Sequence, residues 1–203
     1  MKADAVWLVT AVAMSASPLA AQSGRVLNKQ SVLNQYGACI VKLAPERARA
    51  LMATAIETPR ESELAGELVR SSSNCLRGRA VLSMRIGEIK GGIAEALLLA
   101  NPSRLAEWRA APVKPASRVA KAEGRAFVAF YAACLAQADR ARAVALITTS
   151  HGSFQENEQI RLFGQTLNDC MPEEVAYRLN ARDLRNHIAV ALYAASSQDM
   201  PDA

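Results

Sequence analysis

The sequence is poor in aromatic residues, in histidine and, beyond its N-terminal segment, in long apolar runs. Aromatic residues make up 5% of the 203 positions, and there are two histidines. Few bulky side chains together with abundant alanine favour helices with small contact residues over sheets. No later apolar run reaches the roughly 18 residues of a membrane span, so we expect no spanning helix. With 51% hydrophobic and 21% charged residues, a disordered polyampholyte is excluded.

Motifs that would identify a reaction are also absent. No cysteines are spaced as Cys-x2-Cys, which argues against a four-thiolate metal site and a thiol oxidoreductase. His151 lies two positions before Ser153, but Ser153 is better explained as a helix N-cap, and loop neighbours rarely align a nucleophile with its base. His187 is better read as a surface or satisfied histidine. We therefore predict no catalytic, cofactor-binding or metal-ligating residue.

The first 21 residues have the pattern of a removable export signal. Lys2 precedes an apolar run over 6–16, Pro18 breaks that run, and Ala21 supplies a small residue before Gln22. The run has the length of a signal core, and cleavage is expected after Ala21. The alternative is a buried N-terminal helix of the folded protein. Export to the periplasm or the medium places the four cysteines in an oxidising compartment.

The rest of the chain contains an internal repeat with an offset of 95 residues. Tyr36 and Cys39 match Tyr131 and Cys134, and Cys75 matches Cys170. Without a gap, 15 of the 63 positions from 36 to 98 are identical to their equivalents from 131 to 193. We interpret this as a tandem duplication. The predicted organisation is a signal peptide (1–21), a first helical unit (22–100), a basic Pro-containing linker (101–123) and a second helical unit (124–203).

Each unit is predicted to contain the same helices, so the expected fold is all-α with two tandem similar multi-helix units. Apolar residues at helical spacing indicate helix one, and Pro45 or Asp139 starts helix two. A capping box begins helix three at Thr58 or Ser153. Short extended pieces at 81–84 and 176–179 precede helix four. Gly91 and Gly92 are expected to interrupt helix four of the first unit.

The cysteines are predicted to form one disulfide inside each unit. Four cysteines allow three pairings, but only Cys39–Cys75 and Cys134–Cys170 could have formed within a single ancestral unit. A four-thiolate metal site is the alternative. Each bridge would close a loop of similar length and contribute about 3 to 4 kcal/mol.

Polar residues present in both units are predicted to be structural. Glu61 and Glu156 are predicted to cap helix three. Glu88 and Asp183, which lie beside Lys90 and Arg185, are predicted to interact with the helix dipole at the start of helix four, and Arg47 and Arg142 to pair with a carboxylate of another helix. Tyr36 and Tyr131 are expected in the core, with their hydroxyls reaching the surface or a backbone partner. The alternative for the charged positions is a shared binding groove.

These observations predict a non-catalytic exported (periplasmic) helical interaction or structural protein, whose partner is a protein or another envelope component, without a cofactor and without nucleic acid. One alternative is a periplasmic hydrolase-type enzyme with its site in the second unit, built on His151 or His187. Another is a binder of anionic membrane surfaces or polyanions through the linker, which has six basic and two acidic residues from 101 to 125. The favoured interpretation of that segment is a solvated connector without a binding function.

The Tyr-x-x-Cys motifs, the 35-residue gap between cysteines and the Ile-Ala-x-Ala-Leu sequences starting at Ile93 and Ile188 resemble a group of small, functionally uncharacterised exported bacterial helical proteins. The resemblance covers most of the chain after the signal. It implies an exported helical protein and transfers no active site, ligand or cofactor.

Overall fold

The computed structural model describes residues 29–76, 83–116, 118–119, 122–172 and 180–198, and over these ranges it contains helices and no strand. The predicted signal peptide and most of the two predicted extended pieces lie outside the described residues. The helices are α1 (Lys29–Leu43), α2 (Pro45–Met52), α3 (Pro59–Ser71), a 3-10 turn (Ser73–Leu76), α4 (Ile86–Leu99), α5 (Pro102–Ala110), α6 (Gly124–Ala138), α7 (Arg140–Ile147), α8 (Phe154–Arg161), α9 (Gln165–Cys170) and α10 (Ala181–Gln198).

The fold consists of two similar multi-helix units, as predicted, and helix four of each unit lies at the centre. Helices α4 and α10 pack against each other, α1 packs on α4, and α6 packs on α10. Ala94 and Leu98 of α4 belong to the same hydrophobic cluster as Leu184 and Ile188 of α10. The two units are therefore joined through their central helices, although each disulfide stays within one unit.

The predicted helix starts at the second helix of each unit are confirmed. Pro45 is the first residue of α2, where its missing amide hydrogen costs no helical bond. Asp139 caps α7, its Oδ1 atom accepting a hydrogen bond from the amide of Arg142 at 2.9 Å. Arg142 Nε also lies 3.7 Å from Asp139 Oδ2, and its NH1 nitrogen donates to Gln159 Oε1 at 3.5 Å, which links α7 to the following helix α8.

Helix three differs between the units. In the first unit it is continuous as α3, but in the second it is divided into α8 and α9. The division falls at Gly164, whose φ angle is +47°, a conformation that residues with a Cβ rarely adopt. The equivalent residue of the first unit is Val69, which lies within α3. The prediction of one continuous helix three was therefore wrong for the second unit.

The Gly91-Gly92 pair does not interrupt helix four, contrary to the sequence-based expectation, because α4 runs through it without a break. A Cβ atom at Gly92 would lie 2.9 Å from the carbonyl oxygen of Leu33 in α1, and one at Gly91 would lie 2.5 Å from the Cβ of Asn186 in α10. The absent side chains allow α4 to approach both neighbouring helices closely. The cost in helix propensity is offset by that packing.

The segment predicted as a connector contains a packed helix. Helix α5 buries Leu105 and Trp108 in the hydrophobic cluster of the second unit. The guanidinium of Arg140 lies 4.6 Å from the centre of the Trp108 ring, which is a cation–π geometry. Further along, the amide of Val119 donates to the carbonyl of Cys170 at 3.2 Å. The first part of the linker is therefore integrated into the fold and is not a solvated connector.

Candidate functional site

The two disulfides pair the cysteines as predicted. Cys39 is bonded to Cys75 and Cys134 to Cys170, each with a sequence separation of 36 residues. The bridges join the first helix of each unit to the end of the helix-three segment. They indicate an oxidising environment outside the cytoplasm.

The tyrosines beside the disulfides are buried, as expected. The hydroxyl of Tyr131 donates to the carbonyl of Leu167 at 2.9 Å, and burial raises the pKa of Tyr131 to about 12. The equivalent hydroxyl of Tyr36 is buried without a hydrogen-bond partner among the described residues, and burial raises the pKa of Tyr36 too. The expected hydroxyl partner is thus confirmed in the second unit only.

The glutamates at the start of helix three act as caps. Thr58 and Ser153 accept hydrogen bonds from the amides of Glu61 and Glu156 at 3.2 and 3.1 Å, as the capping box predicts. Glu61 also accepts a hydrogen bond from the backbone amide of Glu57 at 2.9 Å, and Glu156 accepts one from the amide of Gly152 at 2.5 Å. Each of these amides belongs to the residue before the N-cap, not to the N-cap itself. The caps are confirmed, but the amide that bonds each glutamate side chain lies one residue earlier than the capping box predicts.

The same glutamate of the first unit neutralises a buried lysine. Lys90 Nζ lies 3.1 Å from Glu61 Oε1 and donates to the carbonyl of Thr54 at 3.0 Å. Arg125 of the second unit bonds the other oxygen of Glu61. Burial would raise the pKa of Glu61, but hydrogen bonds led by that from Arg125 hold it below its usual value. Burial lowers the pKa of Lys90 although Glu61 opposes this.

The second unit repeats this arrangement around Arg185, which is fully buried. Its NH1 nitrogen donates to Thr149 Oγ1 at 2.9 Å and to Glu156 Oε1 at 3.0 Å, and NH2 donates to Glu95 Oε1 at 2.8 Å. His151 Nε2 lies 3.0 Å from the same Glu95 oxygen. Burial would raise the pKa of Glu95, but the hydrogen bonds from His151 and Arg185 hold it below its usual value.

The two ion clusters use equivalent positions, since Thr54, Glu61 and Lys90 correspond to Thr149, Glu156 and Arg185. Each cluster then gains one residue from the other unit, Arg125 in the first and Glu95 in the second. This role of Lys90 and Arg185 was not predicted from the sequence, from which they were expected only to flank the start of helix four beside the acids Glu88 and Asp183. The available signal was that the threonine and the glutamate are identical in both units and that the third position carries a cation in both, Lys90 and Arg185. Buried charges of this kind must be paired.

His187 lies away from the Arg185 cluster, in a small cleft of about 100 Å³ between the start of α4, the start of α6 and α10. Arg125, Asp183 and Glu88 also line this cleft. Burial lowers the pKa of His187, with Asp183 opposing the shift and Arg125 adding to it. A neutral imidazole is therefore favoured here. The two histidines belong to different surroundings and do not form one site.

A larger groove of about 550 Å³ lies between the ends of α1, α4 and α10 and the starts of α2 and α5. Val41, Leu97 and Tyr193 give it apolar walls, and Arg49 and Arg104 add positive charge. Arg104 also donates to the carbonyl of Ser196. Residues of both units thus line this groove. Pro45 and Leu97 were predicted from the sequence only as helix residues, and no binding role was predicted for this set apart from that of the basic linker.

Within the described ranges, no group of three or more His, Cys, Asp or Glu side chains is arranged to hold a metal ion. Over the same ranges, no helix has the length and apolar character needed to cross a membrane.

Comparison of the chain with family models, with curated proteins and with solved structures gave no match in any of the three.

Proposed function

We propose that this chain is a non-catalytic exported helical protein that acts by binding a protein or another envelope component. The observation that carries this proposal is the position of the charged residues that recur in both units. Glu61, Lys90, Glu156 and Arg185 are buried and bonded to one another or to the backbone. A catalytic acid or base has to reach the substrate proton, and these side chains face the protein interior. Their recurrence is explained by the fold alone.

We propose that the protein acts in the periplasm or in the medium. Residues 1–21 have the charge and apolar pattern of a signal peptide, and both disulfides suit an oxidising compartment. Peptide mass analysis of the exported protein tests the location. An N terminus at Gln22 is the expected result, and a retained Met1 would contradict it.

A binding experiment tests the function directly. The oxidised protein is immobilised and exposed to an envelope extract, with an unrelated exported helical protein of similar net charge on a second column as the control. We expect a component to be retained by the first column only. Equal retention on both columns, or none on either, would contradict the proposal.

The cleft around His187 favours one second candidate, a hydrolase-type enzyme. A neutral imidazole beside Asp183 and Arg125 combines a base, a carboxylate and a cation in one small space. A panel of hydrolase substrates separates the two classes. The wild type is compared with His187→Ala and His151→Ala, and with Phe154→Ala as a variant of an exposed side chain. An activity lost only in a histidine variant would replace the binding proposal by an enzyme.

A further inference from the structure

The groove of about 550 Å³, called the open groove below, is formed largely by helix ends of the first unit. The equivalent helix ends of the second unit are covered by other residues. Three residues that line the groove correspond through the 95-residue offset to residues of the second unit: Val41 to Ala136, Arg49 to Val144 and Leu97 to Leu192. The second-unit residues are 1%, 7% and 1% exposed. In the first unit, Arg49 is exposed and the two apolar residues are only partly buried. The same helix ends are therefore covered in one unit and open in the other.

The cover in the second unit is helix α5. It packs against α7, and its Leu105 and Trp108 belong to the same hydrophobic cluster as Ala136 and Leu192. Leu105 and Trp108 are separated by one helical turn, so they lie on the same face of α5. The protein thus contains one filled example of the groove, in which a short amphipathic helix packs a leucine and a tryptophan, and Leu105 of that helix also lines one wall of the open groove.

Polar contacts hold α5 in that position. Arg140 of α7 donates to the carbonyl of Trp108 at 3.4 Å while its guanidinium stacks on the ring. In the first unit the equivalent of Arg140 is Pro45, which also lines the open groove. The positive charge is instead supplied by Arg49, which forms an ion pair with Glu46 on the same exposed face of α2. A ligand of the open groove can therefore use an acidic group where α5 uses the carbonyl and ring of Trp108.

We propose that the open groove binds an amphipathic helix of a partner protein that carries a Leu-x-x-Trp pair and an acidic residue. The apolar pair lies between Val41, Leu97 and Tyr193, and the acidic residue pairs with Arg49. This inference rests on the proposed binding function and specifies the chemistry of the partner. The geometry of α5 on the second unit is the basis for choosing a helix.

The probe is a synthetic peptide with the sequence of residues 101–111, which contains the Leu-x-x-Trp pair of α5. Helices this short are marginal in water, so weak binding is expected and NMR titration of the ¹⁵N-labelled oxidised protein is the suitable assay. We expect saturable shifts at Val41, Leu97 and Tyr193. A peptide with Trp108→Ala should bind at least about tenfold more weakly. Shifts centred on Val144 would instead show exchange with α5 and would overturn the proposal.

Two matched pairs of protein variants test the groove itself. Ala100→Trp fills the groove, whereas Ala106→Trp adds the same side chain on an exposed position of α5 outside it. Only the first should weaken peptide binding, by about tenfold or more. A second peptide with glutamate in place of both arginines should bind more tightly. That gain should disappear with Arg49→Glu and persist with Arg47→Glu, which changes an exposed arginine of the same helix.

The outcomes separate this inference from the broader function. No saturable shift at millimolar peptide, or equal binding by Ala100→Trp and wild type, overturns the groove proposal. If the component captured from the envelope extract is retained equally by Ala100→Trp, the groove proposal fails and the binding function stands. Loss of that capture in Ala100→Trp but not in Ala106→Trp, together with the peptide shifts, supports both.

Discussion

Replacing Gly37 by alanine should destabilise the protein, although alanine occupies the equivalent position, Ala132, in the second unit. A Cβ atom at Gly37 would lie 2.4 Å from the carbonyl carbon and oxygen of Gly92 and 2.8 Å from the amide nitrogen of Ile93. All of these are backbone atoms, so the clash cannot be relieved by rotating a side chain. Helix α1 would have to move away from α4.

The magnitude follows from two opposing effects. Overpacking of a well-packed interface costs roughly 1 to 3 kcal/mol, and a backbone clash at this distance belongs at the upper end. Alanine in place of glycine inside a helix recovers about 1 kcal/mol. We therefore expect Gly37→Ala to lower the free energy of unfolding by about 2 kcal/mol, which corresponds to a decrease in Tm of roughly 4 to 8 °C.

Gly66 provides the matched control. It lies inside α3, where an added Cβ would meet only the tip of the flexible Arg70 side chain, at 3.3 Å. Gly66→Ala should therefore gain up to about 1 kcal/mol and raise the Tm by roughly 2 to 4 °C. Thermal unfolding of both variants by circular dichroism, under oxidising conditions, is the assay. An increase in Tm for Gly37→Ala similar to that of Gly66→Ala would refute the close-packing argument.

Three further predictions concern the linker helix, the buried charges and the disulfides. Trp108→Ala should lower the free energy of unfolding by about 3 to 5 kcal/mol, measured by urea denaturation, because the ring is buried against the second unit; a loss below about 1 kcal/mol would show that α5 contributes little. Hydrogen bonds from His151 and Arg185 hold the pKa of Glu95 below its usual value against the effect of burial, so the unfolded chain binds the proton first as the pH falls. Stability present above the ordinary pKa of 4.5 should therefore be lost as the pH drops below 4.5 and through the lower pKa of the folded state, and Glu95→Gln should flatten that loss; an unchanged pH profile would contradict this. Removing the first disulfide with Cys39→Ala and Cys75→Ala opens a loop with a sequence separation of 36 residues and should cost about 4 kcal/mol. Because the units share the α4–α10 packing, calorimetry should still show a single transition, and two well-separated transitions would contradict that packing.

The features that were predictable from the sequence are those with a local or a strictly repeated signal. Pro45 and Asp139 mark helix starts, because one lacks an amide donor and the other offers an oxygen to the first turn. Thr58 marks the start of α3 for the latter reason. The disulfide pairing follows from the equal spacing of cysteines in two similar units. Each of these signals lies within a few residues or within one unit.

The break in the second helix-three segment shows the limit of that reasoning. A single glycine is tolerated inside a helix as well as at a helix end, and Gly164 has no Pro beside it to indicate which role it takes. Its positive φ angle became apparent only in the structure. The Gly91-Gly92 pair shows the opposite error, since its low helix propensity is compensated by neighbours that are distant in the sequence.

By itself, the sequence determined the helical class, the two similar units, their caps and their disulfides, because these depend on short-range periodicity and on the repeat. Only the tertiary structure decided that α4 pairs with α10, that Arg125 and Glu95 each join the ion cluster of the other unit, and that α5 covers one groove and leaves the other open. These contacts join residues tens of positions apart. Their energies depend on how closely two helices approach and on which charges are removed from water together, and neither quantity is encoded in any local pattern.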